Sequence, residues 1–459
     1  TASAQSTFVS TLKAKASKGA TLYGTVECNG TPLEGVVVSD GVEVVKTDKK
    51  GVYNIPSQKK TGYVFISIPS GYEAMTEGSD VVPQLWAVLA AEPQTVERHD
   101  FNLRKVDNDK HVIVAVADIH LANKLNDVAT FTNSFIPSLK AEIEQYKSAG
   151  IPVYTVCMGD SSFDLYWYDY LYDITDFRKT LEQVAYPTPF FNTMGNHDND
   201  GATPCDENTD WNATAKYRKA FGPTYYSFNI GKVHYIMLDD QIYLNEPLPK
   251  AKRGKGIVGA RNHITSLTRQ QLDWLSKDLA TVEDKSTPIV IGVHSPIFRY
   301  KDYMNAPVEC RLPAEQRDEF VSLFKEFATV HILSGHTHRN RCCYGRDDAA
   351  QPDIANFTDH TVAAVSGTRW HTSAMGGPQI AVTGDPAGCK IFKINGTDIK
   401  WYFKATEFSA DTQFRCFDMN GVSDFYRNSG EMRVFLDHYP KRTDYGKDKF
   451  RGKVMINVW

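Results

Sequence analysis

Five apolar runs punctuate the middle of the chain: His111-Val-Ile-Val-Ala-Val-Ala117, residues 153–158, Phe190-Phe-Asn-Thr-Met194, residues 288–293 and Val330-His-Ile-Leu333. They are near-continuous rather than alternating, the pattern of strands covered on both faces. Between them, residues 131–145, 175–184, 268–279 and 315–327 have helical patterning. The third of these opens with Thr268-Arg-Gln-Gln271 and continues with Leu272, Leu275 and Leu279, a capping box leading into an apolar stripe. Strand and helix in alternation predict a layered α/β domain.

The flanking regions follow a different rhythm. Leu22-Tyr-Gly-Thr-Val26, Gly35-Val-Val-Val38, Gly51-Val-Tyr53 and Tyr63-Val-Phe-Ile-Ser67 are short β-like runs, broken by turn dipeptides such as Asn29-Gly30 and Asp40-Gly41. That spacing predicts a small antiparallel sandwich. Further on, strands are expected near 362–365, 390–393 and 400–403, the last two joined around Asn395-Gly396. The closing run, Met455-Ile-Asn-Val-Trp459, reads as another strand and leaves open whether this β domain is complete. The expected divisions are a tail at 1–20, a β-sandwich at 21–104, the α/β domain at 105–375 and a C-terminal β-rich domain at 376–459. Ala2-Ser-Ala4 has the small-x-small form of a secretory cleavage site, so the tail is expected to belong to an exported, periplasmic or extracellular protein.

Composition narrows the function classes. A formal charge of -4 gives no basic footprint for nucleic acid or anionic membrane. No apolar run is long enough for a membrane-spanning helix. The eight cysteines form no C-x-x-C pair, which argues against a structural zinc module. Cys157 is expected in the core, and the adjacent Cys342 and Cys343 in a loop.

Each apolar run leads into a polar cluster: Asp118-Ile-His120, Gly159-Asp160, Gly195-Asn-His-Asp198, His294 and Gly335-His-Thr-His338. Sites in open α/β sheets form outside the carboxyl ends of the strands, which is where all five fall. Asp118 and His120, two residues apart, are expected to point the same way and grip one ion. Imidazole and carboxylate ligands suit Zn, Fe or Mn, and an Asp shared by two ions is what a two-metal hydrolytic site needs. Each cluster alone is weak evidence; five in this order are not.

The series D-x-H, G-D, G-N-H-D, H, G-H-x-H resembles that of the calcineurin-like metallophosphoesterases, matched member by member between Asp118 and His338. Residues 21–104 are also similar to transthyretin-like sandwiches, an accessory domain without chemistry of its own. The main resemblance implies an α/β/β/α sandwich and two divalent or transition-metal ions (Mn, Fe, Zn or Mg). One ion would be held by Asp118, His120, Asp160 and His338, the other by Asp160, Asn196, His294 and His336, with Asp160 as the bridge. It also implies hydrolysis of a phosphate monoester or diester of a small phosphorylated substrate, by in-line attack of a metal-bridging hydroxide with His197 assisting the leaving group. Two departures matter. Purple acid phosphatases carry a tyrosine three residues after the bridging Asp, and Phe163 stands there instead, so the resemblance does not extend to a purple iron site. Protein Ser/Thr phosphatases carry an Asp at that position to orient the catalytic histidine; here Asp164 and Asp198 are the alternatives for that role.

Substrate contacts are harder to read. Arg299, Tyr300, Arg339 and Arg341 follow the histidine clusters and can supply phosphate contacts, with solvated loop charge as the plainer reading. Trp370 and His371 lie in a turn-rich segment able to cover the ions, and residues 241–263 form a basic, glycine-containing insertion that reads as a lid or an exposed loop. Two other functions compete. An exported binding protein with an inactive central domain would be expected to have lost a ligand position, and none is lost; a nuclease would be expected to carry basic patches.

Overall fold

The computed structural model describes residues 6–249, 254–302, 305–370, 379–381 and 383–459. The chain divides into two compact units, Thr1–Glu407 and Phe408–Trp459. At the centre of the first unit lie two sheets. One has the strand order Phe190–Asn192, Val153–Cys157, Lys110–Val116, Gly388–Asn395, Asp398–Ala405. Its first three strands are parallel and the last two antiparallel, with Val112 opposite Val153 and Lys393. The other runs Tyr226–Ile230, Val233–Met237, Ile289–Gly292, Val330–Ser334, Phe357–Thr361, Arg341–Tyr344, with four parallel strands between antiparallel edges.

The sheets face each other, which is why their strands read as unbroken apolar runs. His111 of one donates to or accepts from the Tyr235 hydroxyl of the other at 2.7 Å, and Phe191 stacks on Phe228 with ring centroids 3.9 Å apart. Helices Ile136–Ser148 and Ile174–Gln183 cover the first sheet, and Arg269–Ala280 and Ala314–Leu323 the second, giving the expected α/β/β/α layering. Each buries one side: Leu139 and Ile143, Phe177 and Leu181, Leu272 and Leu275, Phe320 and Val321. Thr268 caps its helix by accepting the Gln271 N–H, as its sequence predicts.

The N-terminal strands form a sandwich around Val26, Val38, Tyr53, Phe65 and Phe101, and its second face is seated on the α/β layers. The Trp274 indole donates to Ser39 Oγ at 3.1 Å and meets Phe65 edge-on at 6.1 Å. Arg178, on a helix of the first sheet, is buried in an ion pair with Asp80 and also donates to the Ala220 carbonyl.

Several local expectations shift. The strand expected at 362–365 is instead Phe357–Thr361, because the buried residues that follow turn towards the polar clusters, where the Val365 N–H donates to the Ala117 carbonyl at 3.0 Å. The division expected at 376 falls inside the first unit, since Gly388–Asn395 is laddered along Lys110–Val116 and so belongs to the central sheet. Cys342 and Cys343 lie on the edge strand Arg341–Tyr344, not in a loop; Cys157 is in the core as expected, and all eight thiols are free. In the second unit, Phe414–Asp418 pairs antiparallel with Val454–Val458, and helices Met419–Asn428 and Gly430–His438 lie between them in sequence. No helix among the described residues is long and apolar enough to cross a membrane.

Candidate metal centre

The five polar clusters converge at the carboxyl ends of the facing sheets. Where Lys110–Val116 ends, the backbone turns left-handed twice, at Asp118 (φ 53°) and His120 (φ 51°), and it does so again at Asp160 (51°), His336 (64°) and His338 (53°). Non-glycine residues in this region are uncommon and mark places where surroundings dictate the conformation. Here the dictating contacts run between loops. The Asp118 N–H donates to the Gly159 carbonyl at 3.0 Å, the His120 N–H to the Asp160 carbonyl at 2.9 Å, and the His336 N–H to Asp118 Oδ1 at 3.1 Å.

Two glycines of the motifs are required by close approach. A Cβ on Gly195 would fall 2.2 Å from both the backbone nitrogen and Oδ1 of Asp160, and one on Gly335 would fall 2.7 Å from Asp118 Oδ2. Any side chain at either position would displace a carboxylate.

The clusters form two groups of donors. Asp118, His120 and His338 make one: His120 Nε2 and His338 Nε2 are 2.9 Å apart, and each faces Asp118 Oδ1, at 3.7 and 3.4 Å. Asp160, His294 and His336 make the other, with His294 Nε2 at 3.2 Å from Asp160 Oδ2 and 3.1 Å from His336 Nδ1. Asn196 Oδ1 completes it, 3.0 Å from His294 Nε2 and 2.9 Å from His336 Nδ1. Asp160 Oδ2 also lies 3.7 Å from His120 Nε2, so it faces both groups.

This set fits a pair of cations. Asp118 Oδ2 is buried with no hydrogen-bond partner, and ring nitrogens crowd together as they would around positive charge, two in the first group and two beside an amide oxygen in the second. The outer nitrogens are already engaged: His294 Nδ1 faces the Met158 carbonyl at 2.7 Å and His338 Nδ1 the Gly367 carbonyl at 2.9 Å, which turns each Nε2 inward. Among these histidines, His294 is the one whose neighbours favour its charged form most strongly. Burial opposes it, but Asp160 pushes His294 up to about 10, while burial holds His120 down to about 3 and His336 to about 4. Burial likewise works to raise Asp160, yet the charges of His294 and His197 hold its carboxyl well below the usual range.

His197 stands beside these groups and faces a carboxylate with its outer nitrogen. Its Nδ1 is 2.8 Å from Asp164 Oδ1, and its own N–H donates to Asp160 Oδ1 at 2.8 Å. Burial lowers its pKa, but Asp160 and then Asp164 outweigh that and leave it raised. Of the two alternatives for an orienting carboxylate, the structure places Asp164 at the histidine. Asp198 turns the other way: it accepts the N–H groups of Ser161, Ser162 and Gly195 at 3.2, 2.9 and 3.0 Å and so ties two loops together. Burial and the nearby Asp160 push its carboxyl up to about 6.

The substrate candidates divide. Trp370 lies beside the centre, its Nε1 donating to the Ile119 carbonyl at 2.7 Å, in a pocket with His120, His197 and His338. Arg299 and Tyr300 do not reach it: they sit on the strand Phe298–Asp302, where Arg299 pairs with Glu309 at 3.2 Å and the Tyr300 hydroxyl donates to Asp347 at 2.5 Å. Arg339 and Arg341 are absent from that pocket lining, and Arg341 lies on the edge strand instead. His371 lies outside the described residues.

Other neighbours had no individual role assigned from the sequence, although the 241–263 insertion was read as a lid or an exposed loop. From the 241–263 insertion, Arg261 Nη1 donates to Asp164 Oδ1 at 2.8 Å and the His263 ring meets His336 at 5.8 Å. Lys124, Tyr166 and Arg369 line the pocket. Only proximity to motif residues in sequence, for Lys124 and Tyr166, hinted at them.

Residues 111–340 match the family described as calcineurin-like phosphoesterase, and residues 20–106 and 359–459 match its N-terminal and C-terminal companions. Serine/threonine-protein phosphatase CPPED1 of Homo sapiens is 24% identical over 166 residues, 36% of this chain and 46% of that protein; that of Bos taurus is 26% identical over 171 residues, 36% and 46%. The matched region thus spans about half the length of these relatives. Among solved structures, a dimetal phosphatase from Danio rerio aligns over 64% of this chain and 96% of its own at 13% identity (TM-score 0.38). A purple acid phosphatase from yellow lupin aligns over 81% and 67% at 12% identity (TM-score 0.40).

Proposed function

The chain belongs to the calcineurin-like phosphoesterase family, and we propose that it hydrolyses the phosphoester bond of a small phosphorylated substrate at the two donor groups. The observation that carries this is their convergence: seven side chains from five strand ends meet with Asp160 facing both groups. Asp118, His120, Asp160 and His338 would hold one ion and Asp160, Asn196, His294 and His336 a second, and bound ions would supply Lewis-acid charge to the phosphoryl oxygens.

The chain's own residues do the rest. Asp164 holds His197 by Nδ1, leaving Nε2 to carry a proton towards the substrate. His197 delivers that proton to the leaving oxygen, which departs as an alcohol instead of an alkoxide. Asp198 keeps the loops of Asp160 and His197 in register by its three backbone hydrogen bonds. Whether one or two ester bonds surround the phosphorus is decided by the walls around the centre and not by the donors.

The test is direct. Protein reconstituted with Mn, Fe, Zn or Mg is assayed on an aryl phosphate and a bis-aryl phosphate, with bound metal measured alongside. Close to two ions per chain with turnover in at least one metal supports the reading; no bound ion and no turnover with any of the four overturns it.

A further inference from the structure

We propose that the ester cleaved here carries a planar aromatic ring next to its leaving oxygen, with an anionic substituent at the far end of that ring. This rests on the phosphoesterase reading and names the substrate class for that site.

A pocket of about 120 Å³ opens directly beside His120, His338 and His197. Because His197 faces the leaving oxygen in the proposed reaction, whatever is bonded to that oxygen lies on the His197 side of the centre. What stands there is aromatic. The Phe163 ring is 4.4 Å from that of His197 at 73°, and Tyr166 meets Phe163 at 5.1 Å and 88°. Two rings at a right angle form a corner in which a third can lie against one face and present its edge to the other. Trp370, held by its indole N–H, closes another side.

A cation stands at this pocket: the Lys124 ammonium is 3.7 Å from the centroid of the Tyr166 ring. The Asp127 carboxylate in the lining accepts the backbone N–H groups of Ala122 at 2.7 Å and Val128 at 2.6 Å. A sugar or polyol leaving group would find few acceptors, whereas a ring ending in a carboxylate meets an aromatic corner and then an ammonium. In the reaction the bond from phosphorus to the oxygen of the aromatic alcohol breaks, a bond from phosphorus to the water oxygen forms, the alcohol leaves with the proton from His197, and the proton given up by the water restores His197.

Benzyl phosphate and cyclohexylmethyl phosphate leave as alcohols of similar basicity and differ in the planarity of the ring, so their ratio of kcat/KM in the metal-loaded protein reads the corner and not the chemistry. A preference of about fivefold for benzyl, collapsing towards one in Tyr166→Ala, is expected from an aromatic pair. Adding a para carboxylate to benzyl phosphate should raise kcat/KM by a further factor of about three, and Lys124→Met should remove that gain while keeping the benzyl preference. A benzyl to cyclohexylmethyl ratio of one in the wild type, with both turned over, overturns the inference and leaves the phosphoesterase reading standing. A para carboxylate without effect, or one that lowers kcat/KM, overturns the anionic part. No turnover of any of the three esters overturns both readings.

Discussion

His197 Nδ1 and Asp164 Oδ1 are 2.8 Å apart, and the same oxygen takes Arg261 Nη1 at 2.8 Å. Asp164 is almost fully buried and its second oxygen has no partner, so the described hydrogen bonds of its carboxylate are these two, both to cations or potential cations. Asp164→Asn should therefore lower kcat by about 10²-fold through loss of histidine orientation, with KM and bound metal little changed. A parallel loss of metal would show Asp164 to be a brace of the ion site instead.

Removing the ions should cost stability as well as turnover. Asp118 and Asp160 are buried and depend on positive charge around them. Chelation is expected to lower Tm by about 5 °C, restored by readdition of the metal that supports activity. An unchanged Tm after complete stripping, checked by elemental analysis, would contradict that dependence.

Gly195→Ala should empty the site without touching a ligand. The new Cβ has no room beside Asp160, so either the carboxylate or the loop must move. Bound metal is expected to fall well below two ions per chain. Gly430→Ala, where the added atom meets open space, is the control and should leave stability within about 0.5 kcal/mol. Equal metal content in the two variants would refute the packing argument.

Asp359 should tilt stability with pH. It is buried, accepting the Ile297 and Phe298 N–H groups at 2.8 and 2.9 Å and the Ser334 hydroxyl at 2.8 Å, and burial pushes its carboxyl up to about 7. The folded chain then binds this proton more tightly than the unfolded chain, whose Asp titrates near about 3.9. The contribution is complete below about pH 4 and is lost as pH rises through about 7. Denaturation midpoints measured from about pH 5 to 8 should fall in the wild type and be flatter in Asp359→Asn; parallel curves would show that Asp359 titrates at its ordinary value.

The ligands were legible in the sequence because each sits where an apolar run stops, and a strand end is a local signal. Asp118, Asp160 and His294 needed no knowledge of what packs against them. The choice between Asp164 and Asp198 did, since both are near His197 in sequence and only the fold turns one to the ring and the other to three backbone N–H groups. Arg261 comes to Asp164 across 97 positions, and the sequence marked it only as part of the basic 241–263 insertion, without its partner. Gly388–Asn395 was readable as a strand but not as a neighbour of Lys110–Val116, because pairing across such a distance is written in two places at once. Arg299 and Tyr300 looked like substrate contacts from their closeness to His294, yet a strand carries them away to Glu309 and Asp347.

Five of the donor residues hold a left-handed backbone, a conformation that glycine takes without cost and that Asp and His take at some expense. Replacing His338 or Asp118 by glycine would thus remove a donor and relieve the local chain together. Selection for turnover and selection for stability pull in opposite directions at these positions, so a descendant of this protein released from its catalytic duty would have a downhill path to losing its ligands while keeping its fold.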